Sequence, residues 1–131
     1  MSESFIEQVH YVRIPVKDLK LSAQWYRDVL GLQLLNNTEE VAILKVGEGP
    51  FLLILVPTDD ETFAHFTINN KQEFSIGFTS RELSKFHQHL IDHQVEVEDI
   101  KEDKGHFFFH FYDPNRSEER RVGKECLKRC R

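Results

Sequence analysis

One order of elements limits what this chain can fold into: strand, helix, then three strands, beginning near Val9 and beginning again near Glu73. In the first stretch Val12, Ile14 and Val16 alternate with Tyr11, Arg13 and Pro15. That is the period-2 pattern of a strand with one buried face. Asp18 stands where a helix N-cap is expected. Leu21, Trp25, Val29 and Leu30 follow at helical spacing, and Gly31 is placed to close the helix at its C′ position. Apolar runs at 32–35, 41–46 and 51–56 predict three strands, with turns at Asn36 and Asn37 and over 47–50.

Residues 58–72 are polar and turn-rich and are expected to form a linker. The pattern then restarts. The spacing predicts a strand over Glu73–Thr79, with Phe74, Ile76 and Phe78 on one face and Glu73, Ser75 and Gly77 on the other. Thr79 and Glu82 have the spacing of a capping box. Leu83, Phe86, His87, Leu90 and Ile91 form the apolar stripe of an amphipathic helix. A short strand over 95–97 and a stronger one over 106–112 follow. A second βαβββ module needs one more strand, and residues 116–131 do not alternate as a strand should. The fold class is therefore α+β, built from modules at about 5–57 and 73–115, with the last strand of the second module missing or replaced.

Composition narrows the function classes. The chain of 131 residues is 40% hydrophobic with 11 Phe, enough for one globular domain over 1–115 with a core of its own. No apolar run reaches the roughly 20 residues that span a bilayer, and the N-terminus lacks the basic start of a signal peptide. A cytoplasmic protein without membrane contact is expected. Residues 116–131 hold seven Lys/Arg against three Asp/Glu, a net of +4, so the chain's −5 leaves −9 on residues 1–115. An acidic body argues against nucleic acid as a partner. Cys126 and Cys130 are both in the tail, so no Cys-based zinc site is expected in the body.

The run from Val9 to Leu32, with Asp18 and Leu19, Ser22, Trp25 and Tyr26, and Leu30 and Gly31, resembles the start of a vicinal-oxygen-chelate domain (the glyoxalase, bleomycin-resistance, fosfomycin-resistance and dioxygenase superfamily). The run Phe109 to Asn115 resembles the turn before that family's last strand. The resemblance covers residues 5–115. It implies two βαβββ modules whose curled mixed sheets enclose a cleft, often across a homodimer. It also implies a small-molecule ligand and, in the enzymes, a divalent metal such as Mn, Ni, Zn or Fe, held by His, Gln or Glu.

Residue by residue, the family's first metal ligand corresponds to Tyr11, counted back from Asp18. His10 is one residue away and in phase with the packed side unless a bulge intervenes. The second corresponds to Glu73. The third, seven residues after Asp113, corresponds to Arg120, and a cation cannot ligate a metal. Glu73 and His10 are the candidate metal ligands. Tyr11, Arg13, Ser75 and His110 are the candidate ligand-binding residues, and His110 corresponds to a substrate-contacting position in the fosfomycin-resistance branch. Three functions compete: a metal-free small-molecule-binding protein, a divalent-metal-dependent lyase, transferase or dioxygenase, and an impaired homologue. The last rests on residues 116–126, which resemble the in-frame translation of a sequencing-library adapter and are expected to be a non-native tail.

Overall fold

The computed structural model describes residues 4–114 and, as backbone, 119–124. The chain divides into two compact units, Met1–Asp60 and Glu61–Arg131.

The first unit contains β1 (Tyr11–Val16), α1 (Leu19–Asp28), β2 (Gln33–Asn37), β3 (Ala42–Lys45) and β4 (Leu52–Pro57). Its sheet has the order β1-β4-β3-β2. β1 runs parallel to β4, and the other pairs are antiparallel. The alternation in β1 is realised as expected: Ile14 and Val16 are buried, and Tyr11 and Arg13 are exposed on the opposite face. Register sets Ile14 beside Leu55 and Leu55 beside Ala42, so one row of buried apolar residues crosses three strands.

Asp18 caps α1. Its carboxylate accepts a hydrogen bond from the Leu21 amide at 3.0 Å, which satisfies one of the free donors of the first turn. Asp18→Ala should therefore lower stability by about 1 kcal/mol, read as a reduced Tm; an unchanged Tm would remove the cap from this account. At the other end Gly31 takes φ +76°, and the Leu32 amide donates to the Tyr26 carbonyl at 3.2 Å. This six-residue closure needs the left-handed residue that Gly supplies. Arg27 donates to Asp28 at 2.8 Å. That hydrogen bond, then the guanidinium charge, holds the Asp28 carboxyl below its usual range. Both groups lie at the surface, so the pair adds little to stability.

The buried face of α1 differs from the expected one. Ser22, Ala23 and Tyr26 are buried, whereas Leu21 is 52% exposed. The small side chains let the helix approach the sheet closely, and the full-length buried side chain is Tyr26 rather than a leucine.

The second unit contains β5 (Phe66–Ile68), β6 (Lys71–Glu73), β7 (Ile76–Thr79), α2 (Leu83–Asp92), β8 (Lys101–Asp103), β9 (His106–Tyr112) and β10 (Glu119–Lys124). Its four-stranded sheet has the order β7-β10-β9-β8, with β7 parallel to β10 and the other pairs antiparallel. This repeats the topology of the first sheet, and β10 occupies the place that β4 holds there.

Several local expectations are corrected here. The segment 58–72 contains strand: β5 pairs with β6 through a turn whose Asn69 and Asn70 both have positive φ, which suits the twist of a tight hairpin. The strand expected over Glu73–Thr79 is split, with Glu73 ending β6 and Ile76 starting β7. The capping box does not form. Thr79 stays in β7, the helix starts at Leu83, and Glu82 at the N-cap makes no side-chain cap bond. Leu83 and Leu90 are buried, but Ile91 is 45% exposed. In place of a strand at 95–97 there is one bridge, Val97 to Phe111.

The last strand of the second sheet is supplied by tail residues: Glu119–Lys124 pairs along both of its edges. Register sets position 120 beside Ile76 and Phe111, in the row of the buried Phe111, and position 121 beside Gly77 and His110. The other tail positions, 116–118 and 125–131, lie outside the described residues. Among the described residues no helix is long and apolar enough to cross a membrane.

Candidate functional site

In each sheet one face is packed and the other is less buried. On β9, Phe109 and Phe111 are fully buried, so alternation turns Phe108, His110 and Tyr112 to the other face, where they are half-buried. Segment 96–98 runs antiparallel beside the end of β9. The Glu98 amide donates to the His110 carbonyl at 2.9 Å, and the Tyr112 amide donates to the Glu96 carbonyl at 3.0 Å. With Val97 opposite Phe111 on the core side, Glu98 shares the face of His110 and Tyr112.

Its carboxylate is the centre of a polar cluster. Tyr112 Oη donates to Glu98 Oε2 at 3.0 Å. Lys101 Nζ lies 3.4 Å from Oε1, and His110 Nδ1 lies 3.5 Å from the same oxygen. His110 is the more enclosed partner, with its side chain 19% exposed against 37% for Glu98. Phe74 and Phe108 flank the imidazole, with ring centroids at 5.4 and 5.7 Å. The segment is also tied to α2. His87 Nε2 lies 2.8 Å from the Glu98 carbonyl, and a carbonyl only accepts, so this nitrogen carries the proton. The His87 ring meets Phe109 edge-on at 4.7 Å.

The arrangement is a carboxylate held by Tyr112 and by a histidine that two phenylalanine rings flank. It can hold the cationic or N–H end of a ligand whose flat part lies on Phe74, Phe108 or Tyr112. Lys101, 56% exposed at its side chain, is the partner most easily displaced.

The expected site residues are distributed as follows. Tyr11 and Arg13 lie on the open face of the first sheet, beside Leu52 and Ile54. His10 is exposed just before β1, with its ring edge-on to Tyr11 at 5.5 Å. Ser75 is exposed, and its hydroxyl donates to the Ala64 carbonyl. Glu73 is half-buried beside Phe66. Of the expected set, His110 is the one joined to a cluster, and the residues it joins there, Glu98 and Lys101, were not anticipated. The usable signal was the alternation of Val95 and Val97, which leaves Glu98 on the opposite face. The first unit also has an open cavity of about 470 Å³ lined by Leu19, Lys20, Asn37, Thr38 and Glu39.

Among the described residues no three His, Cys, Asp or Glu side chains come together. The open face of β1 presents Tyr11 and Arg13.

Comparison with known proteins agrees with this architecture. The family profile described as Glyoxalase/Bleomycin resistance protein/Dioxygenase superfamily matches residues 8–118. No curated protein matches the chain. A lactoylglutathione lyase from Agrobacterium tumefaciens has a similar structure, with a TM-score of 0.70 at 18% identity, over 95% of this chain and 98% of that one. TnmS3, an antibiotic binding protein from Streptomyces sp. CB03234, gives 0.77 at 15% identity, over 93% and 98%. A superfamily member from Sphaerobacter thermophilus DSM 20745 gives 0.75 at 15%, over 93% and 100%. At these identities the likeness concerns the fold.

Proposed function

The chain belongs to the Glyoxalase/Bleomycin resistance protein/Dioxygenase superfamily, and on that premise we propose that it binds a small, flat aromatic molecule bearing a protonated amine, without a resident metal. One observation carries this reading: the Glu98 carboxylate is oriented by Tyr112 and His110, and the His110 imidazole is flanked by the rings of Phe74 and Phe108. The charge of −9 on residues 1–115 favours the same ligand sign. The family hosts metal enzymes as well as binding proteins, and its fold alone does not choose between them. Among the described residues no three donors converge at His10 or Glu73, which supports the metal-free reading of this site. The similar Streptomyces structure belongs to an antibiotic binding protein, which fits a sequestering role. A homodimer sharing such sites is part of the same proposal.

The test is a thermal-shift panel of flat aromatic amines against matched aromatic carboxylates. The amines should raise the Tm of the wild type. Glu98→Gln should weaken binding by about tenfold or more, since a hydrogen bond to a charged group contributes about 1.5–3 kcal/mol. Silence from the amines overturns the proposal. If, in addition, Mn, Ni, Zn or Fe ions raise the Tm and Glu73→Gln or His10→Ala abolishes that rise, the metal-dependent lyase or transferase reading replaces it.

A further inference from the structure

α2 carries a pair of histidines that the ligand site does not use. His89 and His93 are four residues apart on its last turn, a spacing that sets two side chains on one helix face. Their ring centroids are 4.2 Å apart with the planes tilted by 39°. His93 Nδ1 lies 2.8 Å from the His89 carbonyl. A carbonyl oxygen only accepts, so Nδ1 carries the proton, and in the neutral ring Nε2 carries the lone pair. A hydrogen bond from the other ring nitrogen to a carbonyl is the arrangement that orients imidazoles as metal ligands. His93 is also the C-cap of the helix, where the partial negative charge of the helix end favours a cation.

We propose that His89 and His93 form a two-imidazole site for a borderline divalent cation of the Zn²⁺, Ni²⁺ or Cu²⁺ class. Paired imidazoles select these ions over Mg²⁺ and Ca²⁺, which require oxygen. With two protein ligands, the remaining coordination positions go to water or to an external donor. His93 is exposed, so an ion reaches the pair from solvent. Small ring rotations bring two nitrogens onto one ion, because the rings are already adjacent and the helix holds their spacing. Bound metal would pin the last turn of α2. The amides of His93, Gln94 and Val95 donate to the carbonyls of His89, Ile91 and Leu90 respectively in that turn, and the chain leads from there to Glu98.

The site is independent of the aromatic-amine proposal, and its test does not involve that ligand. Purified full-length protein is titrated with Cu²⁺ alone and with Zn²⁺ alone. Copper is followed by electron paramagnetic resonance and zinc by hydrogen exchange of the amides of 93–95. The expected result is one ion per chain, a copper signal split by two nitrogens, and slower exchange at 93–95 with zinc. His93→Ala and, separately, His89→Gln should weaken binding by about tenfold or more, whereas the double variant His10→Ala with Glu73→Gln should bind as the wild type does. A single-nitrogen signal, binding unchanged in His93→Ala, or no binding of either ion overturns the proposal.

Discussion

Removing residues 116–131 should unfold the second unit. Among the described residues β7 pairs with β10 and with no other strand of its sheet, so the deletion leaves it without a described ladder. It also strips one whole edge of β9, the strand that carries Phe109, Phe111 and His110. Each backbone hydrogen bond has a net value of about 1 kcal/mol, and a domain of this size is stable by only about 5–15 kcal/mol. Losing both ladders therefore removes a large share of that margin, before the uncovered apolar row is counted. Hydrogen exchange resolves the outcome by region: amides of β7 and β9 should lose protection in the truncated chain. Unchanged Tm and unchanged protection in β9 would show that the pairing of β10 contributes nothing.

A single substitution should approach that effect. Phe111 is fully buried and meets Phe78, Phe86 and Phe109 at centroid distances of 6.4, 6.0 and 6.4 Å. Phe111→Ala removes a ring from the centre of this cluster and leaves a cavity, at a cost of about 3–5 kcal/mol. His110→Ala, one residue away on the other face, should cost much less. Urea unfolding measures both. Equal losses would mean that the two faces of β9 are not distinguished by packing as described.

The sequence made some features legible because a single local rule fixed each. Alternation in Tyr11–Val16 assigned the faces of β1, Asp18 marked a cap, and Gly31 marked a left-handed residue. Other features depended on partners distant in sequence. The alternation of Glu73–Thr79 is continuous as text, but the backbone changes partner between Glu73 and Ile76, from Phe66 to β10. In α1 the expected stripe was Leu21, Trp25, Val29 and Leu30, whereas the buried residues are Ser22, Ala23 and Tyr26. Glu98 sits among Glu96, Asp99, Glu102 and Asp103, where it reads as one charge of a solvated stretch. The alternation of Val95 and Val97 gives it a face, and its place beside β9 gives it partners.

The way β10 is held has a wider consequence. Its position is defined by a parallel neighbour on one side and an antiparallel neighbour on the other, and both recognise the main chain, which is the same for nearly every residue. A slot of this kind is tolerant of sequence. A stretch free of proline meets that main-chain demand, and the residues that alternate along it decide separately what each face receives. Closing the sheet and supplying side chains to a ligand are thus two distinct demands on one strand.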